Sequence, residues 1–471
     1  MRDPVIWWVR KDLRLSDNPA LAAAVEAGGP VIPVFVLDEV FEAYGAAPLW
    51  RFGLGVESFA KSLNAAGSRL ICRRGPATEV LLDVAARTGA RAVRWNRAYD
   101  APQAARDDAV MVALEEAGID GASVAGNVLF EPWSVQTRAG THFQVYAAFW
   151  RAVEGIDVAS PLPRPGRLPA PAAWPASADV ADWGLARPMR RGVSVVDRHV
   201  TIGEDAAWDR LESFAEERME NYGERRDYLA ESATSRLSEH LAWGEISPAT
   251  CWHAAARPAR EGGQGAVPFL KELAWREFAY HLAWHTPWIL DRNWREGWDR
   301  FPWSEDDGTT EVRAWRQGRT GVRIVDAAMR ELYVTGYMHN RARMIVASFL
   351  TKHLMTHWRV GRRWFEDCLT DWDPASNAMG WQWTAGSGPD AAPYFRVFNP
   401  DAQQRRFDGD GAYVRRWIAE GEAAPSATAL SYFDAVPKSW GLSPTDAYPE
   451  PVVDLAEGRA RALAAYKSRS F

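Results

Sequence analysis

Residues 160–175 read SPLPRPGRLPAPAAWP, with prolines at 161, 163, 165, 169, 171 and 175. Each proline fixes φ and removes a backbone donor, so the stretch suits neither a helix nor an inner strand. It predicts an extended linker, a seam between two differently patterned halves. Before it, Val5–Val9, Val31–Leu37, Arg69–Cys72 and Ala92–Trp95 are short β-rich runs. Amphipathic stretches such as Leu49–Ala66 and Glu79–Thr88 separate them. That rhythm predicts a Rossmann-like α/β domain, a parallel sheet with helices on both faces. Beyond about residue 200 the apolar spacing becomes helical. Ile324, Val325, Ala328, Met329, Leu332 and Tyr333 form one stripe, which Gly336 closes. The expected organisation is an α/β domain over 1–130, an interdomain linker over 131–200 and an all-α domain over 201–471.

Composition narrows the function classes. A hydrophobic fraction of 47% with 25% charged residues is that of a soluble globular protein. No run approaches the ~18 apolar residues of a membrane span. Val5–Val9 meets Arg10 and Lys11 too soon to be a signal peptide. Cys72, Cys251 and Cys368 are scattered, without a CxxC pair, which argues against disulfides, zinc and iron–sulfur clusters and for a reducing cytoplasm. No GxGxxG follows the first strand, so a dinucleotide site is not assigned there. The formal net charge is -6, yet residues 313–365 hold ten Arg and Lys352 against Asp326 and Glu331. That local excess predicts a patch facing phosphates or another anion, with a solvated helix face as the alternative. Twenty-five tryptophans exceed packing needs and offer stacking surfaces and oxidisable indoles.

Chemistry-bearing residues concentrate between Tyr222 and residue 400. Thr234, Ser235, Arg236, Leu237 and Ser238 put hydroxyls and backbone amides in a turn before a helix, which suits a phosphate cradle or an ordinary N-cap. Glu272, Trp275 and Arg276 fall at i, i+3 and i+4, placing a carboxylate, a plate and a guanidinium on one helix face. Met338-His339-Asn340-Arg341-Ala342-Arg343-Met344 repeats the idea on a second helix. Asp371-Trp372-Asp373-Pro374-Ala375-Ser376-Asn377 then leads into Gly380-Trp381-Gln382-Trp383.

With these motifs, the opening Trp8-Val9-Arg10-Lys11-Asp12-Leu13-Arg14-Leu15-Ser16-Asp17-Asn18 and the closing Tyr448-Pro449 and Pro451-Val452-Val453-Asp454, the chain resembles the photolyase/cryptochrome family over nearly its whole length. It is most similar to bacterial class III-like cyclobutane pyrimidine dimer photolyases. The resemblance implies an antenna domain, a linker and a helical domain that binds FAD. Tyr222 and Thr234–Ser238 would hold the FAD phosphates with Arg276 nearby. Asn340, Arg343, Asp371 and Asp373 would line its ribityl chain and ring. Asn377 would face flavin N5 with an amide that cannot supply a proton, where plant cryptochromes carry Asp. The implied activity is light-dependent dimer repair by electron transfer from excited reduced FAD, a carbon–carbon lyase reaction on an extruded lesion.

The resemblance also assigns substrate residues. Trp275 and Trp383 would wall the lesion, Glu272 would bond its pyrimidine edges, and Met344 would stand where (6-4) photolyases place a histidine. Arg341 and Arg396, the latter in Pro393-Tyr394-Phe395-Arg396, would meet DNA phosphates. Trp381, Trp358 and Trp303 would carry electrons outward from the flavin. Expected partners are FAD and DNA containing pyrimidine dimers, without a membrane, in a cytoplasmic monomer. A methenyltetrahydrofolate antenna is favoured over a deazaflavin, although Pro102-Gln103 replaces the Asn-Glu of some folate-binding relatives. The alternatives are a cryptochrome-type photoreceptor with little or no repair, and a nonenzymatic flavin- or single-strand-binding module.

Overall fold

A computed structural model describes residues 2–390 and 395–470; Pro393 and Tyr394 of the Arg396 motif, and Phe471 at the end of the helical domain, lie outside the described residues. Five parallel strands, β1 (Val5–Val9), β2 (Val31–Leu37), β3 (Ile71–Arg74), β4 (Ala92–Asn96) and β5 (Asp120–Val124), form one sheet in the order β3-β2-β1-β4-β5. Side chains alternate across a strand, and that alternation sorts two cores. Trp7, Val9 and Phe35 face Phe52, Val56 and Phe59 of the Ala46–Ala65 helix. Ile6, Trp8, Val34 and Val36 face Leu81, Val84, Val110 and Leu114 on the opposite side. Strands buried on both faces read as unbroken apolar runs, so β1 and β2 match the sequence expectation residue for residue.

The edges differ from expectation. β3 begins two residues later than Arg69, because pairing with Val34–Leu37 draws Arg73 and Arg74 into the ladder. β5 was not anticipated. Its sequence DGASV has one apolar residue larger than alanine, Val124, and a partly exposed edge strand needs no more. Residues 157–179 run extended, as their prolines require; the Val158 and Ala159 carbonyls meet His253 of the helical half, and Leu162 and Leu168 lie against the α/β half. Val31 N–H donates to the Pro169 carbonyl at 2.7 Å, and Ala178 N–H to that of Cys72 at 2.8 Å.

Sheets of this order place ligands outside the strand carboxyl ends where the order reverses, here between β1 and β4. The chain fills that crevice itself. Asp12 Oδ2 accepts from Asn96 Nδ2 at 2.7 Å and from Asn18 Nδ2 at 3.1 Å, while Arg10 pairs with Asp107 and the Asn96 carbonyl. The following residues dock the helical half. Leu13 N–H donates to the Trp243 carbonyl at 3.4 Å and Arg14 Nη1 to that of Gly244 at 3.1 Å. Gly244 has φ +69°, and a Cβ there would collide with the Lys11 carbonyl.

The second half is helical throughout its core. The predicted stripe lies in the Arg323–Thr335 helix, ended by Gly336 at φ +68°. Among the described residues, no helix is long and apolar enough to cross a membrane, and no cluster could hold a metal ion.

A charged clamp joins the halves. Arg51, fully buried on the Ala46–Ala65 helix, donates to Glu239 at 2.6 Å and to Glu245 at 2.7 and 2.9 Å. Burial raises the Glu245 carboxyl, but the Arg51 guanidinium and a 2.5 Å hydrogen bond with His240 overcome it and hold it at about 2. Removing one member of a buried pair costs ~3–5 kcal/mol, so Arg51→Met is expected to lower the denaturation midpoint strongly at pH 7. Glu245 in the folded protein lies below its unfolded value of ~4.3, so its contribution is complete above that pH. The gap between wild type and variant therefore narrows as pH falls from about 4 toward 2, which chemical denaturation across that range would measure.

Candidate active site

Between the Ser238–Trp243, Ala266–His285, Asn340–Ser348, Trp358–Cys368 and Pro374–Ala385 helices lies a cavity of about 340 Å³. Its size and mixed lining suit a bound organic group. One wall is the Thr234–Ser238 turn. Arg236 takes the left-handed φ of +54°, and buried Leu237 occupies the cap position, where its side chain cannot cap. The ordinary N-cap reading therefore fails. The Ser238 hydroxyl instead donates to Asp371 Oδ2 at 2.7 Å.

Asp371 organises the adjoining wall. The same Oδ2 accepts from Arg343 Nη2 at 2.7 Å, while Arg343 Nε donates to the Met338 carbonyl at 2.8 Å. Asp371 Oδ1, Trp372 Nε1 and Trp381 Nε1 are buried without a hydrogen-bond partner among the described residues, although all three residues line the cavity. An unpaired acceptor and two unpaired donors fit a heterocycle that carries both kinds of group. Gly380, also on the wall, has open space where a Cβ would point.

Asp373 caps the Pro374–Ala385 helix, accepting from Ser376 N–H at 2.8 Å, and takes a second hydrogen bond from the Tyr280 hydroxyl. Burial would raise its carboxyl, but Lys11 and Arg276 pull it below the usual range. Lys11 comes from the α/β half. Its buried Nζ has no hydrogen-bond partner among the described residues, and burial lowers its ammonium against the pull of Asp373 and Asp100. Asn377 lines the cavity with its amide nitrogen donating to the Arg362 carbonyl at 3.2 Å.

Most residues singled out in the sequence meet here: Tyr222, Thr234, Ser235, Arg236, Leu237, Ser238, Glu272, Arg276, Asn340, Arg343, Met344, Asp371, Asp373, Asn377 and Trp381 all border the cavity. Trp275 and Trp383 are part-buried but outside its lining. Trp275 stacks on Tyr146 with centroids 3.6 Å apart and planes 8° from parallel. Arg341 is engaged with Asp227 at 2.5 Å and lies 4.5 Å over the Phe407 ring, whereas Arg396 is exposed. Trp358 and Trp303 lie deeper in the helical half, their rings 5.5 and 5.3 Å from that of His357. Trp381 packs edge-on to Phe365 at 5.0 Å, and Gly361 makes room for it, since a Cβ there would collide with the indole.

Two residues escaped the sequence reading. Tyr337 lines the cavity with the Arg236 guanidinium 3.9 Å from its ring centroid and that of Arg343 at 5.3 Å. Its place just after the helix-ending Gly336 was the available signal. Arg226 pairs with Glu272 and lies 5.6 Å over the Tyr222 ring. The expected basic patch needs correction. Arg316, Arg319, Arg323, Arg330, Arg341, Arg343, Arg359 and Arg362 each pair with a carboxylate from outside residues 313–365. Lys352 is buried, donating to the Ala385 carbonyl.

Comparison with known proteins gives two family matches: DNA photolyase over residues 5–167, and the FAD binding domain of DNA photolyase over residues 269–468. A deoxyribodipyrimidine photo-lyase of Agrobacterium fabrum is 46% identical over 98% of this chain and 97% of its own. Cryptochrome-1 of Arabidopsis thaliana is 35% identical over 97% of this chain and 69% of its own. The crystal structure of a bacterial class III photolyase from Agrobacterium tumefaciens superposes with a TM-score of 0.90 at 44% identity, covering 99% of this chain and 98% of that one.

Proposed function

The chain belongs to the DNA photolyase family, and from that membership we propose how its cavity carries out light-dependent repair of cyclobutane pyrimidine dimers in DNA. The observation that carries this reading is one cavity whose lining includes both the Arg343–Asp371 pair and Glu272. FAD, when bound and reduced, supplies on illumination the electron that opens the cyclobutane ring and takes it back.

The protein's own residues bind, orient and polarise. Tyr222, Thr234, Ser235, Leu237, Ser238 and Arg276 hold the cofactor's phosphates, and Arg236 and Arg343 flank Tyr337 beside them. Arg343 sets a fixed positive charge against the ring, balanced by Asp371, and Asn340 and Asp373 complete the seat. Asn377 offers hydrogen bonding at the ring edge without a proton to give, which favours repair over the cryptochrome-type alternative. Glu272, oriented by its ion pair with Arg226, receives the pyrimidine edges, with Met344 as an apolar contact. Trp275 and Trp383 wall the extruded lesion, while Arg341 and Arg396 meet the DNA backbone. Trp381, Trp358 and Trp303 form the route by which oxidised cofactor is refilled with electrons. The division into 1–130, 131–200 and 201–471, a monomeric state and a cytoplasmic location belong to the same proposal.

For a second chromophore we propose methenyltetrahydrofolate over a deazaflavin. Support comes from the surface around Glu131. Its Oε1 accepts from Tyr99 at 2.9 Å and Arg97 at 2.8 Å, while buried Oε2 has no hydrogen-bond partner among the described residues. Beside it, the exposed Trp133 and Trp284 rings stand 5.0 Å apart. An unpaired carboxylate oxygen next to an open aromatic surface suits a pterin, whose ring amine and N–H donate.

Four measurements test this. Thymine dimers incubated with the reduced protein under blue light should regain absorbance in the thymine band, and no recovery would end the repair reading. In the same preparation, Trp383→Ala should weaken dimer binding by ~1–3 kcal/mol in a gel-shift titration while flavin content holds. Undiminished affinity would remove Trp383 from the wall. Trp381→Phe should slow light-driven reduction of oxidised flavin, and an unchanged rate would take Trp381 out of the route. The purified protein should show a near-ultraviolet band beyond those of flavin, and Glu131→Ala should lose it.

A further inference from the structure

Tyr146 is the first residue of the Tyr146–Val153 helix, within the stretch read as linker, far in sequence from the rest of the site. It is nevertheless fixed there at three points. Its ring lies parallel to Trp275 at 3.6 Å, a tighter and flatter stack than any other ring pair of the described residues. Its hydroxyl donates to the Lys271 carbonyl at 2.7 Å, one helical turn before Trp275. Its backbone N–H donates to Asp390 Oδ1 at 3.1 Å. Asp390 itself holds a left-handed φ of +52°, which aspartate tolerates better than most residues. Phe278 adds an edge contact at 6.0 Å, and Tyr146 is left buried.

Trp275 therefore has one face covered and the rest of its ring partly exposed, on the helix face that carries Glu272. We propose that Tyr146 is a positioning residue that fixes Trp275 as a ready-made plate for the extruded lesion. This rests on the reading of Trp275 as a lesion wall. An indole free to change rotamer must be ordered when a base stacks on it, and that ordering weakens binding. Tyr146 removes the cost in advance and continues the stack behind the indole, so lesion, Trp275 and Tyr146 form three parallel layers. Undamaged DNA keeps its bases in the helix and gains nothing from the plate. The effect of Tyr146 is thus a selective one.

The test compares affinity for one oligonucleotide with and without a thymine dimer. Tyr146→Leu, which keeps apolar bulk without a ring, should lower affinity for dimer DNA about tenfold and leave that for undamaged DNA unchanged. Tyr146→Phe retains the stack and should restore the wild-type ratio to within about twofold. Asp390→Gly tolerates the positive φ, removes the amide anchor and should shift the ratio in the same direction by less; it reports on the same device should the leucine variant not fold. Flavin content should stay at the wild-type level in all three. An unchanged ratio of the two affinities in Tyr146→Leu, or in Asp390→Gly where only that variant folds, would overturn the inference. So would an equal loss for both DNAs. A wild-type protein that does not prefer dimer DNA would instead remove the repair reading beneath it.

Discussion

A buried carboxylate must find partners or lose its charge, and Asp371 finds two on one oxygen. Ser238 comes from a turn more than a hundred residues earlier and Arg343 from a separate helix, so satisfying Asp371 draws three remote segments to one point. The rest of the cavity follows from that convergence. Arg343, aimed by the Met338 carbonyl, brings its charge to the wall, and Tyr337 fills the gap between Arg343 and Arg236. Two residues beyond Asp371, Asp373 starts the helix that carries Asn377 and Trp381. Because these constraints act within the protein itself, the cavity is preformed.

What could be read in the sequence was what depends on short-range periodicity or contiguous motifs. β1 and β2 each start after a proline, stop at a charged residue and are buried on both faces, so their runs stand out. β5 has an edge strand's freedom to be built from Gly121, Ala122 and Ser123, and that freedom hides it. Asp371, Asp373 and Asn377 share one motif and were found together. Tyr337 and Arg226 act through rings and charges that only the fold brings near. Window charge misled for the same reason: Arg330 finds Glu420, and Arg319 joins it there, across about a hundred residues of chain. A local excess of arginine says little about the surface until its distant partners are known.

The tryptophans divide in the same way. Trp7, Trp243 and Trp315 are packing residues, and Trp243 spends its N–H on the Thr370 carbonyl at 2.7 Å. Trp381 keeps an unpaired N–H at the cavity wall, and Trp275 keeps a partly open ring. Position, and not abundance, separates the two uses.

The Arg51 clamp has a consequence for how such a chain can be inherited and recombined. Its cation is encoded in the first seventy residues, while the carboxylates that require it are encoded some two hundred codons later. Neither half is a free-standing module: the later one, made alone, would leave Glu239 and Glu245 without the Arg51 guanidinium. Exchange of the first half between relatives would succeed only where the incoming helix delivers a guanidinium at the same depth. The two halves are thus held to a shared ancestry by electrostatics.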